Sequence, residues 1–566
     1  MGKVIEKKKS SIKRDKVLKH ANKKLPDFPL PIAHLDEEYN GTWNFETAAH
    51  LLRRTTFGPK LSEIEKAVIL GKSASINKLL SNTEFIPEPP INVKDDEDTE
   101  IPIGQTWVNA SKKKNDFIRR ASYAGWRIGL ILNQPHNGTE SLPFSIREKM
   151  VLFWQNHFAS EADVIGDARY YYWFHNKLRK NYLGNFKNLV KKINIDPAML
   201  VYLSGQFNTK EAPNENYARE LFELFTIGKG PLDGTDSYTY YTESDIIEAS
   251  KILTGWEVIK NFSGPDRQKF TSSRHDTSSK TFSSKFNNKV IHNNGEKEHE
   301  DLINMIFDQE RTSEYICEKL YRWFIYYVID GEVTDKIIKP LAKILRENNF
   351  EIKPVLEKLL HSKHFFEIHT RGALIKSPID YNFGILRQVP LSDYLSLDIK
   401  DQYGFWTKRT NDIRNQSQDI INHPSVAGWP AYYQSPLFQE LWINSVTLPL
   451  RTLNVNQYLS NNGMAAINPG TVYAKPIKLL DEISEPDNID YIIELFCKWF
   501  FPIYSEITPS QKEDFKNIVV GNNPNMWKDE YTDYINDPTP TKEISINKRL
   551  KDLIKEMFKT PEYHLS

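Results

Sequence analysis

The sequence predicts an all-α protein: a large multi-helix domain with long loops and little β structure. Three observations carry that prediction. Apolar residues recur at three- and four-residue spacing in segment after segment. Many of those segments open and close on capping signals, such as Asn44 and Gly58, or Thr242 and Gly255. Period-two alternation, the mark of a half-buried strand, is scarce, and no internal repeat of fixed period is found.

Residues 1–43 precede the first helical pattern and read as a basic disordered tail and an extended, proline-bearing arm. Residues 1–24 carry ten Lys or Arg against one Glu and one Asp, a composition that stays solvated or meets an acidic surface. Residues 44–258 form an N-terminal helical part. NFETAAHLLRRTTFG supplies Asn44 as N-cap, Leu51 and Leu52 on an apolar face, and Gly58 as stop. SEIEKAVILG supplies a Ser62/Glu65 capping box and Gly71 behind it. Pro- and Asp-rich residues 85–108 are a surface loop. Helices then span about 111–133, 145–158, 167–192, 196–204, 213–230 and 242–255.

Residues 259–297, rich in Ser, Asn, Lys and Gly, are a long loop or a small β insertion. Residues 298–566 form a C-terminal helical part packed on the first, with a second long loop at 389–436. Its helices span about 298–308, 312–330, 334–347, 352–362, 378–388, 437–460, 488–500, 509–520 and 543–559. WFIYYVI, Trp323 to Ile329, is the longest apolar run and fits a buried helix core, not a membrane span. TPSQKEDF starts a helix with Thr508 as N-cap, Pro509 in the first turn and Gln511 closing the box.

Composition narrows the function classes. The 74 basic and 74 acidic residues balance, which disfavours a generic nucleic-acid binder. Cys317 and Cys497 lie far apart, so neither a disulfide framework nor a cysteine zinc site is expected. No apolar leader opens the chain, which makes a cytoplasmic location the default. Phosphate-cradling, dinucleotide, zincin and nucleophile-elbow motifs do not occur.

The most specific polar pattern is PNENYARELFELFTIGKG, residues 213–230. Tyr217, Leu221, Leu224 and Phe225 share one helix face; Glu215, Arg219 and Glu223 form a stripe, with Glu220 beside it. That stripe is either a solvated ladder of ion pairs or a buried polar site. As a site, Arg219 clamps an anion, and Glu220 with Glu223 serves as an acid/base pair or as metal ligands. His157, at the end of REKMVLFWQNHFAS, either completes a divalent-metal set with Glu220 and Glu223 or caps its helix. The loop SRHDTSSKTF brings His275 beside Asp276, with Lys280 able to hold an anion. NHPSVAGWP is turn-rich, and its Trp429 either packs or lines a pocket.

Several segments together resemble a bacterial family known as domain of unknown function 1800. They are AAHLLRRTTFGP, REKMVLFWQNHFAS, DPAMLVYLSG, NENYARELFELFTIG, YTESDIIEASKILTGW, RHDTSSKTF, IKSPIDY and HPSVAGWP…WIN, in that order across residues 45–455. The resemblance implies a mainly helical fold and a periplasmic or envelope association. It carries no established reaction. Gln155 and Phe225 stand where relatives often have histidine.

Two functions are expected. One is a metal- or carboxylate-assisted hydrolase-like enzyme acting on an anionic substrate in the helical core, with Glu220, Glu223, His275 and Asp276 catalytic and Arg219 and Lys280 binding substrate. The other is a non-catalytic binding or envelope-associated scaffold whose buried charges are structural and whose aromatic surface meets a partner protein or glycan.

Overall fold

The computed structural model describes residues 32–566 apart from 82–85, 95–97, 99, 112–115, 133–143, 235, 260–266 and 466–470. The predicted basic tail and the start of the arm lie outside the described residues. The described part of the arm is anchored at points: Ile32 and Leu35 are buried, and Glu38 bridges Ser362. The protein is mainly helical, and the strands among the described residues pair two by two in short antiparallel ribbons. Helix formation follows the capping signals. Helix α1 (Phe45–Thr55) begins at Asn44, whose side chain accepts from Thr47 N while Thr47 caps back. The helix at Pro509–Val520 opens on the expected Thr508/Gln511 box.

One contiguous apolar cluster runs from Ile32 to Tyr563 and joins the two helical parts. Helix α1 packs on Ile489–Phe500, and the Trp499 indole donates to Pro59 O at 2.9 Å. Helices Phe117–Leu132 and Ile399–Arg414 pair most extensively. Their approach requires glycine: a Cβ on Gly125 would sit 2.5 Å from Thr407 Oγ1, and one on Gly129 2.9 Å from the Trp406 ring.

The structure departs from the sequence reading at identifiable places. The Ile399–Arg414 helix occupies the middle of the expected 389–436 loop. The 167–192 helix is two, Ala168–Lys180 and Phe186–Asn194, because Asn185 caps the second while Phe186 N bonds Phe350 O at 2.8 Å. The second helix starts at Leu61, with Glu63 rather than Glu65 closing onto Lys60 N at 2.9 Å. The apolar run WFIYYVI is not one helix, since its helix ends at Phe324. The 259–297 insertion carries ribbons Trp256–Val258/Gln268–Phe270 and Lys280–Thr281/Val290–Ile291.

Five helices set out the polar chemistry. Besides α1, they are α2 (Arg147–His157), α3 (Glu215–Glu220, continuing as a π-helical turn Leu221–Thr226), α4 (Glu243–Ile252) and α5 (Glu310–Phe324).

Candidate functional site

The polar side of α3 is neither a fully solvated face nor a shared cavity. Asn214 caps the helix by accepting from Tyr217 N at 3.2 Å. Tyr217, Ala218, Leu221 and Phe222 go inward, while Glu215 and Asn216 are exposed. Arg219 is part-buried and spends its fork on Glu243 of α4, with contacts of 2.8 and 2.6 Å. Glu223 accepts from Tyr241 OH at 2.6 Å and lies 3.1 Å from Lys229 Nζ. Burial first, and Glu223 second, raise the Glu220 carboxyl above its ordinary range. The stripe is therefore a half-buried ladder of ion pairs that ties α3 to α4.

His275, Asp276 and Lys280 gather around a residue the sequence reading missed, Glu298. His275 Nε2 lies 3.0 Å from Glu298 Oε1, and Lys280 Nζ donates to Glu298 Oε2 at 2.7 Å. Asn294 N also donates to this carboxylate, at 2.9 Å. His275, Lys280 and Glu298 are buried, and Thr254 meets both His275 Nδ1 and Asp276 N. Each charge has its partner, so the network is closed and pins the loop to the end of α4. The hydrogen bonds and ion pairs of His275, Asp276 and Lys280 run to Thr254, Ser278 and Glu298 and to one another, and those of Arg219 and Glu223 to Glu243, Tyr241 and Lys229, so the two sets are separate networks.

His157 is enclosed by Phe153, Trp154, Phe158, Phe186 and Phe225. Its Nε2 sits 3.1 Å from Phe225 O and its Nδ1 3.3 Å from Lys319 Nζ. Burial first, then Lys319, hold its pKa well below the usual value, so the ring is neutral. Protein groups occupy both ring nitrogens. Among the described residues, the His, Cys, Asp or Glu ligand atoms that gather as a possible metal set belong to His364, Glu367 and His369. The expected set of His157, Glu220 and Glu223 is not assembled. On the first turn of α2, Glu148 is fully buried and forked by Arg179 at 2.9 and 2.8 Å.

What does converge is a basic pocket that the sequence reading missed. The last turn of α1 brings Arg53 and Arg54, the first turn of α2 Lys149, and the end of α5 Arg322 and Trp323. Ser377, Asp380, residues of the segment Ala431–Trp442 and Ser566 also line the pocket. The cavity measures about 40 Å³, room for about three waters or one small anionic group. Gly428 (φ +92°) sets the last segment, since its Cβ would fall 2.4 Å from Asn156 Oδ1, the atom that accepts Trp429 N at 2.9 Å.

Four cationic side chains face a single acidic side chain, Asp380, on this wall, which Ser566 also lines. Arg53 donates to Trp499 O and Phe501 O at 2.9 and 3.2 Å. Arg54, only 3% exposed, donates through Nη2 to Thr370 O; its Nε and Nη1 have no partner among the described residues. Lys149 pairs with Asp380, which also accepts from Ser377 Oγ at 2.9 Å. Arg322 Nε donates to Tyr327 O at 3.2 Å. Burial brings Arg53 down to about 10, and burial together with Arg53 brings Arg54 down to about 9. Both stay charged at neutral pH, in a positive field that the Asp380 side chain alone does not offset. The signal available in the sequence was distributed: Arg53 and Arg54 come from AAHLLRRTTFGP, Lys149 from REKMVLFWQNHFAS, Ser377 and Asp380 from IKSPIDY and Ala431–Trp442 from HPSVAGWP…WIN, while Arg322 lies outside all of these segments.

A family model described as "Protein of unknown function (DUF1800)" matches residues 50–565. No curated protein and no solved structure matches the chain.

Proposed function

The chain belongs to the DUF1800 family, and from that premise we propose that it is a hydrolase-like enzyme for an anionic substrate, whose phosphate, sulfate or carboxylate group sits in the basic pocket. The observation that carries this reading is Arg54, a buried guanidinium with two unpartnered nitrogens beside Arg53, Lys149 and Arg322. Buried charge left unpaired is costly, and an anion satisfies it through charge-assisted hydrogen bonds. Cations fixed in a water-poor wall also stabilise charge that develops on ester oxygens as a bond breaks. Asp380, the wall's one acidic side chain, orients the attacking water in this reading.

A second reading, a binding or scaffold protein with structural charge networks, is favoured by the closed sets His275–Glu298–Lys280 and Arg179–Glu148. Titrating phosphate and sulfate into the protein, followed by calorimetry, tests the anion site. Wild type binds, while Arg322→Gln and Lys149→Met bind about tenfold or more weakly, the scale of one charged hydrogen bond. Equal binding by all three, or none by wild type, contradicts the proposal. Turnover of anionic esters, lost in Asp380→Asn while anion binding persists, separates the enzyme from the scaffold.

A further inference from the structure

The geometry points to a second site, for a divalent transition-metal ion such as zinc, at His364, Glu367 and His369. It stands on residues that the basic pocket does not use, so the two proposals fall separately. The three side chains lie on one tight turn, a four-residue helix (Lys363–Phe366) running into a 3₁₀ turn (Ile368–Thr370). His364 Nδ1 is 2.8 Å and His369 Nε2 3.1 Å from the same oxygen, Glu367 Oε2. One ligand atom from each residue lies within 4.8 Å of the others. Metal bonds of 2.0–2.1 Å in a tetrahedron put neighbouring ligand atoms about 3.3 Å apart. Relative to Glu367 Oε2 the nitrogens need to recede by only a few tenths of an ångström, and the two imidazole nitrogens, within 4.8 Å of each other, close on the ion by side-chain rotation.

The surroundings match what orients metal ligands. The other nitrogen of His364, Nε2, lies 3.0 Å from Tyr321 OH, and the imidazole stacks parallel to that ring. The other oxygen of Glu367, Oε1, accepts Ala33 N at 3.2 Å. Outer contacts of this kind fix the tautomer and aim the ligands. The turn itself is braced by Thr370 Oγ1, which donates to Phe365 O and Glu367 O at 2.9 and 2.8 Å, and by His50 at Phe365 O. Two imidazoles and one carboxylate suit zinc or a neighbouring transition metal rather than calcium or magnesium. His364 is buried, whereas the His369 and Glu367 side chains are 18% and 14% exposed. Three protein ligands with a solvent-facing side leave a fourth position for water. Thr370, next to His369, gives its carbonyl to Arg54, so the ion lies one residue from the pocket wall.

The test uses the full chain, stripped with a chelator and titrated with Co²⁺ and then Zn²⁺. Wild type is expected to take up one equivalent, with a tetrahedral Co²⁺ absorption that Zn²⁺ displaces. His369→Ala and Glu367→Gln should lower the affinity at least about tenfold, the scale of even outer-shell losses. His292→Ala, an exposed histidine elsewhere, should bind as wild type does. X-ray absorption on the wild-type zinc protein should count two imidazole ligands, a readout that needs no variant to fold. Substoichiometric uptake by wild type, a ligand count without two imidazoles, or unchanged binding in His369→Ala overturns the assignment, leaving a His–Glu–His ion-pair cluster.

Discussion

Replacing Arg54 with methionine separates a ligand-binding arginine from a structural one. The side chain is 3% exposed, makes one hydrogen bond, to Thr370 O, and leaves Nε and Nη1 without partners. Losing a charged hydrogen bond costs about 1.5–3 kcal/mol. Removing two buried, unsatisfied donors returns about 1–3 kcal/mol each. Methionine fills a similar length without a charge. The anion-free protein should then change by anything from a loss of about 1 to a gain of about 4 kcal/mol. A fully compensated buried ion pair that loses one partner behaves differently and costs about 3–5 kcal/mol. The anion-bound state should lose about 1.5–3 kcal/mol of affinity, roughly ten- to 150-fold. Thermal denaturation with and without phosphate reads both quantities. The expected result without phosphate is a melting temperature between a slight fall, matching at most about 1 kcal/mol, and a clear rise, together with loss of the phosphate-induced rise. A sharp fall in melting temperature with the phosphate rise intact would refute the reasoning.

Three further outcomes follow from the other charged groups. Glu298→Gln takes from Lys280 its close carboxylate and leaves only Asp276, 3.8 Å away, so it should destabilise the fold by up to about 3–5 kcal/mol, measured by denaturation; a change below about 1 kcal/mol would show that the network is not closed. Glu220→Gln should raise the melting temperature at neutral pH. Burial and Glu223 lift the folded carboxyl above its ordinary value, so the folded state holds its proton more tightly and wild type loses stability as pH climbs past the ordinary carboxylate range; a lower melting temperature in the variant at pH 7 contradicts this. Lys319, held by burial and Arg322 at about 7 against an ordinary 10.5, releases its proton more easily in the folded protein. Stability should therefore increase with pH from 7 to about 9, and Lys319→Met should flatten that slope in a pH series of melts; an identical slope in the variant would place the titration elsewhere.

Much of the fold was legible because capping chemistry is local. Asn44, Thr242 and Thr508 mark helix starts within a few residues, and the folded chain uses each of them. The missed helix at Ile399–Arg414 has a mixed face, where Arg409 and Thr410 are buried beside Tyr403 and Trp406, so its apolar period is diluted. The split at Tyr182–Asn185 depends on Phe350, which is distant in sequence. The polar sites were less legible for the same reason. Helical spacing placed Arg219, Glu220 and Glu223 on one side, yet Arg219's partner is on α4 and Glu223's is Tyr241. Arg53 and Arg54 stand at a helix end in the sequence, and only the fold brings α2, α5 and the 431–442 segment over them. His364, Glu367 and His369 have no helical or strand period; their meeting depends on a turn that only the backbone reveals.

The most direct measurement is a crystal structure of the protein soaked in sulfate or tungstate. The account predicts an anion within hydrogen-bond reach of Arg54 Nε or Nη1 and of Arg322 or Lys149. An empty or water-filled pocket, with the anion bound instead beside Arg219 on α3, would contradict it.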